Sequence, residues 1–443
     1  MLLQFSIKNY KSFVDKAVFL MEAAPKQKGL EYSLGKIKLG KRVIKGLSSS
    51  VIYGPNASGK TNIIGAMDTL RAIILRGNVR NSEETDSVNP ASELLELIPN
   101  NTLDKPEPVE FGIVFTENDM LINYELSLDL GTFLDNKYHR KVLKETLSVN
   151  NNLLFNREDG VQVNSLESIK KFVSNVAKSS YDEIISIANN SLSDDELFLV
   201  NGFRLLYSPS FVKLFLDWIS NRFMVICRAD SIQLIKRFSD PQKPTLYIEK
   251  TINQAASIFG INSNAIGYEV KDDDFNAKLC SVFKDDKNKK IATIVAESFE
   301  SYGTIRFINI FPLVLRAITT GGTLIIDEFD ASIHPMALMN IINIFHNDDL
   351  NIHKAQLIFN THNPIFLNSN LFRRDEIKFV ERDDDTHISE LYSLSDFGTI
   401  GEMGVRKNEN YMSNYFVNKY GAIKDIDFTP IFEEIINSES MVE

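Results

Sequence analysis

The stretch Ser49–Thr61, SSVIYGPNASGKT, constrains the fold more than any other part of the chain. It reads as a short buried strand, a glycine-rich loop and the first turn of a helix. Gly54, Gly59, Lys60 and Thr61 fill the pattern G-x-x-x-x-G-K-[ST]. Backbone N–H groups must converge on phosphate oxygens in such a loop, so the side chains around them have to be small or absent, and the helix N-terminus adds partial positive charge. Gly54, Pro55, Asn56, Ala57, Ser58, Gly59, Lys60, Thr61 and Asn62 therefore form the candidate cradle for ATP. Lys60 supplies a point charge to the β- and γ-phosphates, and Thr61 offers its hydroxyl to Mg²⁺. A chance glycine loop would lack context. Here the apolar run Val51, Ile52, Tyr53 precedes the loop and the helical run Asn62–Arg76 follows it.

The second half of the chain carries matching chemistry. Thr323–Glu328, TLIIDE, is an apolar run ending in two carboxylates, the pattern of a central parallel strand whose functional groups emerge at its carboxyl end. Asp327 is placed to hold Mg²⁺, and Glu328 to accept a proton from water in line with the γ-phosphate. Ala355–Pro364, AQLIFNTHNP, repeats the design with His362 at the strand end, where an imidazole can hydrogen-bond the γ-phosphate. In Glu297–Arg306, ESFESYGTIR, Ser301 and Gly303 precede a helix expected over Ile305–Thr319 and offer a hydroxyl and bare N–H groups at its positive end. Such an anion site makes sense across a dimer, closing on ATP held by another copy; the plainer reading is a helix N-cap by Ser301 or Thr304.

Length and composition bound the rest. At 443 residues, two domains or one with a large insertion is expected, and 44% hydrophobic with 24% charged residues is the make-up of a soluble globular protein. A net charge of −11 argues against nucleic-acid binding by bulk electrostatics, leaving room only for a local basic patch. Lys8, Asn9, Lys11 and Ser12 form one basic turn and Lys36–Lys45, KIKLGKRVIK, another basic segment, each either a solvated face or a lining for nucleotide or polyanion. Cys227 and Cys280 lack metal-ligand spacing and read as inert core residues of a reducing cytosol. No stretch is long and apolar enough to span a bilayer, and the N-terminus lacks the pattern of a signal peptide, so a cytoplasmic location with no membrane partner is expected.

Along the chain, Val109–Phe115 and Leu121–Leu130 read as a hairpin about Glu117–Asp119, while Asn78–Asn89 is a polar loop. From Leu166 to Phe259 the periodicity is helical, with runs at Ile169–Ala188, Phe211–Ile226 and Leu246–Gly260. The expected organisation is an N-terminal lobe of an ATPase head (1–165), a helical insertion (166–265) projecting as a lid or arm, and a C-terminal lobe (266–443). The clusters Asp272–Asp274 and Asp383–Asp385 read as solvated turns, and His139, His346, His353 and His387 as surface or packing residues.

The order of these motifs resembles the ABC-type ATPases of the RecF and SMC class. Within it the chain is similar to the compact ATP-binding proteins of bacterial anti-phage loci, such as the RloA type and the AriA ATPase of the PARIS system. The resemblance rests on Asn9–Phe13, the phosphate loop, Ser301–Thr304, Ile326–Pro335, Thr361–Pro364, Arg373–Ile377 and Tyr420–Ile423. It implies an α/β head with a mostly parallel sheet, Mg²⁺-dependent ATP hydrolysis by a homodimer, Ser301 and Gly303 acting on the partner's nucleotide, and Asp330 in a loop at the dimer interface. Tyr302 stands where transporters have glycine, which fits the soluble class. Two purposes follow: an ATP-switched sensor and scaffold for a separate effector such as a nuclease in phage defence, or a DNA repair ATPase that clamps DNA along Lys8, Lys11, Lys36, Lys38, Lys41 and Arg42.

Overall fold

The computed structural model describes residues 1–25, 27, 29–80, 96–133, 135, 138–173, 186, 189–227, 245–270, 277–285, 290–399, 404–406 and 409–439. Its centre is a six-stranded sheet in the order Phe223–Ile226, Thr323–Ile326, Gln356–Asn360, Ser49–Tyr53, Ile377–Arg382 and Ser389–Ser393. The first five strands run parallel and the last pairs antiparallel. Ser49–Tyr53 is buried at every position, as a strand covered on both faces must be. Alternate residues serve opposite sides: Ile52 joins one core, Val51 and Tyr53 the other.

The first core lies between this sheet and a seven-stranded antiparallel sheet that begins the chain with Leu2–Lys8 and includes the hairpin Val109–Glu117 and Met120–Asp129. The helix Lys60–Arg76 fills the space with Ile63, Ile64, Met67, Leu70, Ile73 and Ile74. Against the other face pack the helices Tyr302–Thr320 and Pro335–His346, through residues such as Ile308, Val314, Leu338 and Ile342. A third sheet, Thr245–Tyr247, Ala265–Val270, Lys278–Asp285 and Lys290–Val295, precedes the Tyr302 helix. This is the mostly parallel α/β ATPase head expected from the motifs, with a large antiparallel sheet that contains the expected hairpin. Among the described residues no helix is long and apolar enough to cross a membrane.

The segment 166–265 does not project where it is described. Helices are present at Pro209–Asn221 and Lys250–Phe259, but Phe223–Ile226, expected to continue the first of them, is a strand pairing in parallel with Thr323–Ile326. Val225 and the flanking Phe223, Met224 and Ile226 suit a covered strand, and the helix preceding it ends at Asn221. Phe198, Phe203, Tyr207, Phe211, Phe215, Trp218 and Phe223 are all buried in the first core. Trp218 stacks on Phe115 with ring centroids 3.8 Å apart and on Phe223 at 5.4 Å. These aromatics hold the head together and offer no interface. Most of Ile169–Ala188 and Asn78–Asn89, and all of Asp272–Asp274, lie outside the described residues.

Candidate functional site

The loop between Tyr53 and Lys60 closes onto the N-terminus of the Lys60–Arg76 helix, with Gly59 as its cap at φ 110°, a conformation that favours glycine. The basic turn at the start of the chain supports this loop rather than lining it. Asn62 Nδ2 donates to Ser12 Oγ (2.8 Å), Ser389 N donates to Ser12 O (2.7 Å), and Ser389 Oγ donates to Ser58 O (2.6 Å). Tyr10 and Phe13 beneath are fully buried. Lys8 pairs with Glu107 at 3.6 Å, Lys11 with Glu96, Arg42 with Glu22 at 3.5 Å, and Lys45 with Glu31 at 3.7 Å. The segment Lys36–Lys45 spans most of a hairpin, Leu34–Leu39 with Arg42–Leu47, whose Lys36 and Lys38 are exposed.

Lys60 Nζ donates to Gly54 O (2.8 Å) and Pro55 O (2.9 Å) inside the loop. Burial lowers its ammonium to about 8, against the opposing pull of Asp327 and Glu328. Thr61 Oγ1 donates to Asp327 Oδ1 (3.2 Å), so the hydroxyl and carboxylate expected to share a metal come together from positions far apart in the chain. Burial raises the Asp327 carboxyl above its ordinary range, while hydrogen bonds from Asn360 and Thr61 oppose the shift. Glu328 is exposed at the strand end with φ 50°. Burial, and then the Lys60 charge, lower the His362 imidazole against the smaller opposing pull of Asp330 and Glu328. Asp330 accepts from Thr361 Oγ1 (2.7 Å), and burial raises its carboxyl.

ATP and Mg²⁺ fit this arrangement. The Ser58 hydroxyl is buried without a partner, and Lys60 is held only by loop carbonyls that phosphate oxygens can replace. Thr61 and Asp327 present the oxygen ligands that Mg²⁺ requires.

Ser301 and Gly303 begin the Tyr302–Thr320 helix and meet Thr304 and Ser332 rather than their own phosphate loop. Ser301 is the N-cap: its Oγ accepts from Thr304 N (3.1 Å). A Cβ on Gly303 would lie 2.2 Å from Ser332 O, so the helix end rests directly on the loop that follows Glu328.

Two residues of the site escaped the sequence reading. Asn360 is buried at the end of its strand, donating to Asp327 Oδ1 and accepting from Glu328 N. Arg306, also buried, donates from Nη2 to Glu328 O. An asparagine directly after the apolar run Leu357–Phe359, and a lone cation in the buried part of the Tyr302–Thr320 helix, were the available signals. Elsewhere His346 is a packing residue as expected, buried with Nε2 2.7 Å from Ser49 Oγ. The Asp383–Asp385 run is a turn in which Asp383 accepts from Thr386 N (2.7 Å). Cys280 is buried, and burial pushes the Cys227 thiol to about 12, so both are inert.

The fold and the loop define a P-loop ATPase of the α/β class. Residues 49–368 match the family described as AAA domain, putative AbiEii toxin, Type IV TA system, and the chain belongs to that family. A search of curated proteins returns no match. Among solved structures, the SMC head domain from Thermotoga maritima is similar with a TM-score of 0.34 at 12% identity, covering 88% of this chain and 98% of that one.

Proposed function

We propose that the protein is a Mg²⁺-dependent ATPase switch that pairs with a second copy around ATP and, in the cytoplasm, serves as sensor and scaffold for a separate effector, a nuclease, in bacterial anti-phage defence. The observation that carries the ATPase part is the convergence of Thr61, Asp327, Glu328 and His362 about Lys60. Lys60 moves its ammonium from the loop carbonyls to the β- and γ-phosphates. Glu328 takes the proton of the attacking water, and His362, beyond the same end of the neighbouring parallel strand, contacts the γ-phosphate. Thr61 and Asp327 would hold Mg²⁺, which would supply charge neutralisation at the phosphate oxygens. Ser301, Gly303 and Asp330 serve the dimer: the exposed Ser301 end of the Tyr302–Thr320 helix meets the partner's phosphates.

The test separates binding from turnover. Lys60→Ala loses nucleotide affinity, whereas Glu328→Gln keeps it and loses about a hundredfold to ten-thousandfold in rate. Unmodified turnover by Glu328→Gln would refute the assignment. The family's description names a toxin, so a directly toxic chain is the alternative to a scaffold. Expression with and without the genomic neighbours, followed by pull-down in ATP and ADP and an assay of nucleic-acid cleavage, distinguishes them; cleavage by the purified chain alone removes the separate effector. The DNA-clamp reading requires a basic groove, and the pairing of Lys8, Lys11 and Arg42 with acidic residues weighs against it.

A further inference from the structure

The end of the helix Tyr302–Thr320 that faces outward with Ser301 grips, on its inner side, the loop of its own chain that carries Glu328. The grip has two parts. Gly303 lies against the Ser332 carbonyl, so closely that no side chain fits between. One turn of helix away, the guanidinium of Arg306 donates from Nη2 to the carbonyl oxygen of Glu328. That carbonyl belongs to a residue at φ 50°, a left-handed backbone that a glutamate adopts only when its surroundings fix it. Asn360 fixes the preceding peptide group, on the other side of the Glu328 Cα, by accepting from Glu328 N.

A simple packing contact would not need a cation here. Around it the helix buries Phe307, Ile308 and Ile310 in the second core beside the uncharged Thr304 and Asn309, and a methionine or leucine in place of Arg306 would fill the space without desolvating a charge. Arg306 is nonetheless 5% exposed, and its Nε has no hydrogen-bond partner. Among the described residues this buried guanidinium makes its hydrogen bond to the Glu328 carbonyl, in a loop whose Asp330 also feels its charge.

We infer that Arg306 is a positioning residue for Glu328: it locks the backbone of the water-activating residue and ties that setting to the helix end bearing Ser301. The inference rests on Glu328 being the base proposed above. Arg306 touches neither the phosphate loop nor the Thr61–Asp327 pair through its hydrogen bond, so its loss acts on turnover and leaves ATP binding in place.

The test measures kcat, KM for ATP and ATP-dependent association for the intact chain, for Arg306→Ala and for Arg306→Lys, with Glu328→Gln alongside. A displacement of the base of about 1 Å costs about a hundredfold in rate. Arg306→Ala is therefore expected to lower kcat by about that factor with KM and association within about threefold of the unmodified protein. Arg306→Lys keeps a cation and one donor and is expected to recover part of the loss. Unchanged kcat in Arg306→Ala, or a KM that rises in step with the loss of kcat, overturns the inference. Should Arg306→Ala not fold, the lysine variant decides alone: its kcat must fall below that of the unmodified chain at constant KM, and an unmodified kcat overturns the inference. Glu328→Gln turning over at the full rate refutes the underlying assignment instead, whatever Arg306 does.

Discussion

Replacing Asn360 with alanine removes both hydrogen bonds that join Asp327 to the backbone of Glu328. The Glu328 N–H loses its acceptor next to a strand end that is 1% exposed at Asn360, which costs about 1–3 kcal/mol, and the bond to the Asp327 carboxylate contributes about 1.5–3 kcal/mol. These do not simply add, because Asp327 keeps Thr61 as a donor. A net destabilisation of about 2–4 kcal/mol follows, seen as a Tm lower by about 4–8 °C if about 2 °C is lost per kcal/mol in a large chain. The metal site should suffer in a pH-dependent way. Burial already raises the Asp327 carboxyl and Asn360 pulls it down, so the variant's carboxyl rises further and is protonated at a higher pH. A protonated carboxyl is a poor ligand. Titrating Mg²⁺ against binding of a fluorescent ATP analogue should show the midpoint moving upward, and by more at pH 6 than at pH 8. The same Tm and the same Mg²⁺ midpoint at both pH values would show that Asn360 does not organise the site.

Lys60 titrates near 8 when held by loop carbonyls, so binding phosphates above that pH requires uptake of a proton, and ATP affinity should fall by about tenfold per unit between pH 8 and pH 10; a flat profile contradicts the buried environment. Gly303→Ala forces apart the helix end and the Ser332 carbonyl, and should reduce turnover by about a hundredfold with nucleotide binding retained, read by steady-state kinetics beside equilibrium binding. Ser301→Arg should abolish the ATP-driven association that Glu328→Gln traps, as sedimentation with and without ATP would reveal; a trapped protein that stays monomeric removes the sandwich altogether. Trp218→Ala, which deletes a ring stacked between Phe115 and Phe223, should lower stability by about 3–5 kcal/mol in denaturant melts, and a surface-like effect below about 0.5 kcal/mol would return these aromatics to the surface.

The parts legible in the sequence are those where one residue type admits one local structure. A glycine-rich loop after an apolar strand, two carboxylates after another, and a hairpin turning at Asn118 and Asp119 with φ 46° and 58° each carry their geometry in a few neighbours. Phe223–Ile226 was hidden because four apolar residues directly after an amphipathic helix continue its pattern, and only the partner strand a hundred residues on makes them a strand. Arg306 and Asn360 were hidden for a related reason. What each does depends on which backbone atom of Glu328 it reaches, and that is decided by packing between elements rather than by spacing within one. The basic turn misled in the opposite direction: its charges drew notice, while Ser12 and Asn9 carry its structural work, Asn9 donating to Glu107 O at 2.6 Å.

The neighbours of Ser49–Tyr53 in the central sheet are Gln356–Asn360 and Ile377–Arg382, and Leu2 N donates to Gln356 Oε1 across 354 positions. A ribosome making this chain therefore releases the phosphate-loop strand long before either of its flanking strands exists. Closing a loop of some three hundred residues costs about 5 kcal/mol of chain entropy, and no sheet hydrogen bond offsets it until the C-terminal lobe emerges. Until then a strand made to be buried at every position stands with both edges bare, a template for pairing with other nascent chains. Premature termination upstream of Gln356 should accordingly yield aggregates rather than a folded N-terminal lobe, and the nucleotide site can come into being only when synthesis of the head is almost complete.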